Sequence, residues 1–300
     1  MNGTADEVTV AERLRSRIAA LTPAERRAAR ALLAGYPVRG LEPVAKLAAA
    51  SGVSAPTVLR LIGKLGFDSY TDFQQSLKAE VGVRMSSLLE MHAGRPGTDG
   101  AGALNRTERL LCEGIHASFA RLPPAEFEQA VRLLSDTRRG VMLIGGRFST
   151  MLADYLAAHL RILRPGVRVV SGAGTDRTCS VLDIRPRDVL VAFDYRRYQR
   201  DTVRLAAAAK QQGAKVIAFT DPYLSPLSAF ADVMLTSSVA SASPFDAATP
   251  ALALVEALIA ALVDRMGDAP TERMSRYDAL HSGAVDGTDG RPTIWPEARR

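Results

Sequence analysis

Two periodicities divide the chain. Up to about residue 82, apolar positions recur at helical spacing among basic ones; from about residue 109, short apolar runs of strand length alternate with longer amphipathic stretches. "TPAERRAARALLA" at 22–34 places Thr22 as a cap, Pro23 at the first helical position and Glu25 three residues after the cap, a capping-box start. Leu32 and Leu33 belong inside, while Arg26, Arg27 and Arg30 face outward as a solvated face or as phosphate contacts. In "VAKLAAASGVSAPTVLRLIGKLGF" at 44–67, two short apolar-periodic helices flank a turn at Gly52. Ala48 is small enough for a close helix crossing, Gly52 takes a turn conformation that a Cβ resists, and Val53 plugs the angle between the helices. Ser54 is placed to cap the second helix and Pro56 falls in its first turn. Val58, Leu61, Ile62 and Leu65 form one stripe, which predicts Ala55, Thr57, Arg60 and Lys64 on the outer face.

The second half predicts five strands, in "GVMLIGG", "VRVVSG", "DVLVAF", "KVIAFT" and "DVMLTS", with helices between them and a long helix, "ATPALALVEALIAALVDRM", after the last. Such alternation means a doubly wound parallel sheet whose ligands bind beyond the carboxyl ends of the strands. The expected architecture is therefore an all-α helix-turn-helix domain at 1–82, a linker at 83–108, an α/β domain at 109–268 and a tail at 269–300. "MHAGRPGTDGAGALNR" at 91–106 has the glycine and polar content of a linker, and "SGAVDGTDGRPTIWPEARR" reads as a flexible tail in which Trp295 could anchor to a groove.

Composition narrows the class. The chain has 300 residues, 47% of them hydrophobic and 23% charged, values of a globular protein with room for two domains. No stretch approaches the roughly 18 to 20 uninterrupted apolar residues of a membrane span, and the N-terminus lacks a signal-peptide core, so a cytoplasmic location and no membrane partner are expected. Cys112 and Cys179 have no metal-ligand spacing and are expected to be reduced and structural, with no metal and no cofactor. The formal charge of +6 favours polyanionic partners without proving one.

In a helix-turn-helix, the start of the second helix reaches base edges and positive groups meet phosphate. Ala55, Pro56 and Thr57 are thus candidates to read sequence, with the cap residue Ser54 beside them at the DNA, and Arg60 and Lys64 to set affinity; an ordinary helical hairpin is the alternative. Two strand exits carry further chemistry. After the first, Gly145 and Gly146 allow close backbone approach, and Ser149 and Thr150 begin a helix whose amides suit an anion. After the third, "DYRRYQRDT" brings Asp194, Arg196 and Arg197; with Arg147, the arginines could clamp an acidic metabolite while Asp194 orients one of them or accepts sugar hydroxyls. The alternative is an ion-pair cluster that closes the pocket or ties a dimer together. Ser241, Ser243 and Asp246 form a possible third wall, Asp246 near a helix N-terminus.

"LTPAERRAARALLA", "LAAASGVSAPTVLRLIGKLGF" and "YTDFQQSLKAE" resemble the N-terminal domain of the RpiR/MurR family of bacterial transcriptional regulators, over residues 12–81. The resemblance implies a C-terminal sugar isomerase (SIS) domain that binds phosphosugars and dimerises. Phosphosugar-binding SIS members carry a Ser-x-Ser-Gly-x-Thr loop after the third strand; here only Thr202 matches, as the loop-end hydroxyl. The family implies a regulator that binds double-stranded operator DNA, an inverted repeat, as a homodimer or homotetramer, and senses a small anionic or sugar-derived effector with coupling through the linker. An aldose–ketose isomerase, with Glu256 the base to consider, and a dimerisation scaffold are the alternatives.

Overall fold

The computed structural model describes residues 8–85, 89, 102–170 and 175–285. Among the described residues, the α-helices of the first domain are α1 (Val10–Arg17), α2 (Pro23–Ala34), α3 (Val38–Leu41), α4 (Val44–Ser51), α5 (Ala55–Lys64) and α6 (Tyr70–Met85). Both α1 and α2 begin with capping boxes, Thr9 with Glu12 and Thr22 with Glu25, so the chain satisfies its own free helix-start amides. Gly52 ends α4 at φ 62° and ψ 39°, the left-handed conformation in which glycine pays no Cβ penalty. Val58, Leu61, Ile62 and Leu65 are buried as one stripe, against Leu32, Leu47 and Phe73. Glu80 of α6 lies buried and accepts the Val10 N–H at 2.8 Å and the Tyr36 hydroxyl; burial pushes its carboxyl up to about 7.

Two helices, α7 (Gly102–Arg121) and α8 (Pro124–Ser135), lead into a sheet of β1 (Val141–Gly145), β2 (Val167–Val169), β3 (Val189–Phe193), β4 (Lys215–Thr220) and β5 (Val233–Thr236). Between and after the strands run α9 (Thr150–Leu163), α10 (Thr175–Leu182), α11 (Arg200–Gln211), α12 (Thr249–Met266) and α13 (Thr271–Val285). All pairings are parallel, in the order β2-β1-β3-β4-β5, with Val141 beside Val189 and Gly145 beside Phe193. The chain reverses its direction across the sheet between β1 and β3, which makes their exits the switch point where such sheets bind ligands.

Alternation along the strands sorts two faces. Leu143, Val191, Phe193, Phe219 and Leu235 pack under α8, α9 and α12; Phe193 and Phe219 stack with centroids 4.5 Å apart, a contact worth about 1 kcal/mol beyond area. Ile144, Ala192, Ala218 and Met234 face the other way, and their cluster runs without a break into the core of the helix-turn-helix domain. The domains touch directly: α2 packs on the turn Pro226–Ala229, Thr9 Oγ1 donates to Pro222 O at 3.1 Å, and Arg121 pairs with Glu12 at 3.7 Å. The linker is therefore not the sole connection between them.

Several sequence expectations need correcting. Residues 83–85 belong to α6 and 102–108 to α7, so helix enters the segment expected to be linker from both sides; most of 86–101 lies outside the described residues. Residues 271–285 are helical as well, and Arg273 Nε on α13 donates to Arg161 O of α9 at 2.7 Å; the rest of the tail, with Trp295, lies outside the described residues. Cys112 and Cys179 are free but exposed, so neither is a packed core thiol. Among the described residues, no helix is long and apolar enough to cross a membrane.

Gly145 shows how the sheet meets α9. A Cβ there would lie 2.4 Å from both Cα and N of Thr150, atoms of backbone that cannot swing away. Gly145→Ala should destabilise the chain by about 2 kcal/mol or more, a fall of roughly 4–8 °C in melting temperature; an unchanged melt would show that α9 is free to move off the strand.

Candidate functional site

A cavity of about 370 Å³ opens at the exits of β1 and β3. Of the residues expected there, Gly146, Arg147, Ser149, Asp194, Arg196, Arg197 and Asp246 line it. Gln199, Phe148, Met151, Val239 and Phe245 complete much of the wall. These last were not legible as site residues, since no polar motif marks them and 245 becomes a neighbour of 148 only after the sheet forms.

The third-strand exit is held by buried acids. Asp194 accepts the Gln199 N–H at 2.9 Å on one carboxylate oxygen and the Ser225 hydroxyl on the other. These contacts fold 194–199 back on itself and join it to the loop after β4, so sugar hydroxyls meet a carboxylate that already accepts one donor on each oxygen. Tyr198 donates to Asp221 Oδ1 at 2.9 Å, the same oxygen that accepts the Tyr223 N–H at 2.9 Å. Asp221 Oδ2 is buried without a hydrogen-bond partner. Burial pushes this carboxyl up to about 6, against the pull of the Tyr198 hydroxyl and of Arg196. The Arg196 guanidinium lies 6.0 Å from the centre of the Tyr223 ring, at the outer limit of a cation–π contact.

Asp246 sits between the two arginines. It is ion-paired with Arg196, and its other oxygen lies 3.7 Å from Arg197 Nη2. It therefore anchors the arginines rather than capping α12. Arg197 adopts φ 68°, a strained conformation for a residue with a side chain, and such strain concentrates at binding sites. Arg196 Nε and Arg197 Nη1 are buried and lack hydrogen-bond partners. Arg147 is exposed on the opposite lip and has no ion pair among the described residues.

Other expected ligands fall elsewhere. Ser149 lines the cavity, but its hydroxyl is committed, accepting the Gly146 N–H at 2.9 Å and donating to Phe193 O at 2.7 Å. Gly145 packs on α9 instead of on a ligand, and Thr150 is outside the wall, its amide bonded to Gly146 O at 3.0 Å. Thr202 faces the protein interior from α11, fully buried with its hydroxyl unpartnered, because the helical phase turns it away from the cavity. Ser241 and Ser243 bond each other in an exposed turn outside the wall. Arg177, not singled out in the sequence, donates to Gly145 O at 3.0 Å and holds the first strand exit.

On the helix-turn-helix, Ala55 is half-buried, Ser54, Pro56, Leu59 and Arg60 are exposed, and Thr57 is buried, contrary to its expected outward position. Its hydroxyl bonds Ser54 Oγ at 2.9 Å and accepts Arg60 Nη2 at 3.1 Å, so Thr57 braces the arginine. Ser54 occupies the cap position without a side-chain bond to the backbone. Lys64 Nζ donates to buried Glu25 at 2.8 Å; that ammonium, and then the Thr22 amide, hold the Glu25 carboxyl down at about 2. Lys64 therefore spends its charge on Glu25 before any phosphate arrives.

Residues 8–83 match the model of the helix-turn-helix domain of the rpiR family, and residues 133–261 match that of the SIS domain. The chain is an RpiR-type helix-turn-helix protein with a SIS domain. This RpiR-type chain is 32% identical to the bifunctional protein glk of Burkholderia mallei over 216 residues, 70% of its own length and 32% of the relative's. It thus spans about a third of that relative. An uncharacterized HTH-type transcriptional regulator of Haemophilus influenzae is 23% identical over 221 residues, covering 72% of this chain and 75% of that protein. Among solved structures, the sugar isomerase domain of an RpiR transcription factor from Sphaerobacter thermophilus superposes with a TM-score of 0.56 at 24% identity, over 59% of this chain and 98% of that one. The Vibrio vulnificus NanR protein complexed with ManNAc-6P covers 91% of this chain and 98% of its own at TM-score 0.50 and 17% identity, a likeness of fold.

The buried Asp221 gives a pH test. Its carboxyl titrates near 4 when unfolded and near 6 when folded, so the folded state favours the protonated form and loses that advantage as pH rises between the two values. Asp221→Asn should melt like the parent at pH 4 and gain on it towards pH 7, by on the order of 2 kcal/mol. A constant difference between the two proteins across that range would remove Asp221 as the titrating group.

Proposed function

We propose that this protein is a sequence-specific DNA-binding transcriptional regulator whose SIS domain senses a small anionic or sugar-derived effector, as the NanR structure with ManNAc-6P suggests by analogy. The observation that carries the proposal is one loop, 221–231, which touches both the loop that walls the cavity and the helix-turn-helix domain. It meets the cavity wall through Asp194–Ser225 and Tyr198–Asp221, and the helix-turn-helix through Thr9–Pro222 and the seat of α2. An effector that moves Arg196 or Arg197 acts on the segment that carries those bonds, and so on the docking of the DNA-reading domain. The protein acts in the cytoplasm as a homodimer or homotetramer on an inverted repeat, the symmetry of the assembly matching that of the operator.

A regulator fits better than an isomerase. Among the described residues, no histidine or glutamate lines the cavity, and both aspartates there are engaged. Glu256 is exposed on α12 and accepts the Tyr155 hydroxyl at 3.3 Å, away from the cavity wall. Among the described residues, no base is placed on the cavity wall to carry a proton between adjacent sugar carbons.

Arg60 is the strongest phosphate-contact candidate on α5, and Ser54, Ala55, Pro56 and Leu59 supply its reading surface. The test is recovery of genomic fragments by the purified protein at near-physiological salt. Enrichment of fragments sharing an inverted repeat is expected, and Arg60→Ala should weaken binding across all of them and lower the logarithmic salt slope by about one. Recovery that is weak, unselective and erased by salt would sink the regulator.

A further inference from the structure

Resting on the regulator reading above, we propose that the cavity takes a monocarboxylate with an apolar body, in preference to a phosphosugar. Charge argues first. Among the lining side chains Arg147, Arg196 and Arg197 outnumber Asp194 and Asp246 by one, and Asp221 behind them, near Arg196, takes up part of that surplus when ionised, so the site has room for little negative charge. A carboxylate brings little. A phosphate monoester, carrying about −1.5 to −2 near pH 7, overshoots and would have to lie close to Asp246.

Hydrogen-bonding capacity argues second. A sugar brings several hydroxyls, each of which loses water on entry and needs a partner. Ser149, Asp194 and Asp246 are already engaged, and the Tyr195 hydroxyl is bonded to Ser237 at 2.9 Å. Of the uncharged polar side chains on this wall, Gln199 remains for such work.

Shape and surface argue third. Phe148, Met151, Leu152, Val239, Phe245 and Ala251 give the cavity a mostly apolar lining, and Phe148 and Phe245 are 67% and 55% exposed, aromatic surface that an apolar body would cover. The volume of about 370 Å³ equals that of roughly a dozen liquid waters, enough for a small aryl or alkyl acid. The arginines offer the matching head-group site. Asp246 leaves Arg196 Nε and Arg197 Nη1 buried without acceptors, and a carboxylate that displaces Asp246 from the arginines supplies two oxygens in its place.

The experiment is calorimetric titration of the full chain with phenylacetate and octanoate, with glucose phosphate and fructose phosphate, and with phenylacetamide as a neutral twin. The expected result is at least tenfold tighter binding of one of the carboxylates than of either sugar phosphate, with no measurable binding of the amide. Arg196→Gln should weaken that carboxylate at least tenfold, and Phe245→Ser should weaken it while leaving sugar phosphates unchanged. If Arg196→Gln does not fold, the ranking of ligands by the parent protein still decides. Sugar phosphates that match or exceed both carboxylates overturn the proposal, as does an amide that binds as well as its acid. Running the genomic-fragment recovery on the same preparation separates the two claims. Selective recovery without a carboxylate preference overturns the ligand class alone, whereas carboxylate preference with unselective DNA recovery upholds the ligand class and removes the regulator.

Discussion

The buried carboxylate of Asp194 is the constraint on which the upper edge of the sheet depends. A carboxylate removed from water must find donors, and this one finds the Gln199 amide of its own loop and the Ser225 hydroxyl of the next. The loop after β3 is thereby closed and joined to the loop after β4. Everything functional at this edge follows from that closure: Arg196 and Arg197 are projected over the cavity, Tyr198 reaches Asp221, and Thr202 is wound inward at the start of α11. A serine-rich phosphate cradle would use the same backbone positions to present hydroxyls and amides to a ligand. Here those positions are filled by side chains whose first partners are within the protein.

The arginine pair is consequently a prepared site with an internal counterion. Asp246 keeps two neighbouring guanidinium groups from repelling each other, and it does so imperfectly, since one N–H on each arginine is left buried and unpartnered. An unmade hydrogen bond to a charged donor is costly in a site shielded from water. The free energy an anion gains there includes relief of that cost, offset by whatever Asp246 loses.

The sequence discloses the parts of the fold governed by local rules. Capping boxes at Thr22 and the glycine at 52 act within a few residues of themselves, and each buried strand is an apolar run of its own. The resemblance to RpiR regulators supplies the pairing of domains, which local rules cannot. What stays hidden is set by tertiary phase and distance. Thr57 lies next to the apolar stripe and is drawn inside with it, while Thr202 is turned by the phase of α11 into the interior, away from the cavity. The arginines are legible as candidates, but their partner stands about 50 positions along the chain, after two further strands. Likewise the "DPYLSP" loop carries no motif. Its importance comes from lying between two surfaces that the sequence describes separately.

That position also explains why the domains share a core. The cluster that begins at Val10 and includes Leu61 and Leu77 continues through Leu224 and Leu227 to Ala218 and Ile144 in the sheet. Rigid packing of this kind does not deform gradually; it holds one arrangement until another becomes lower in free energy. An effector can favour a second arrangement only by the difference between its affinities for the two. The proposed coupling is plausible in magnitude because the loop 221–231 spends few bonds on either neighbour: a hydrogen bond at Pro222, the seat of α2 on Pro226–Ala229, and the contacts of Asp221 and Ser225 with the cavity loop. Each is worth on the order of 1 kcal/mol, so the binding energy of a small anion is comparable with the bonds by which this loop reaches its two neighbours. A flexible tether alone would have left the domain indifferent to the effector.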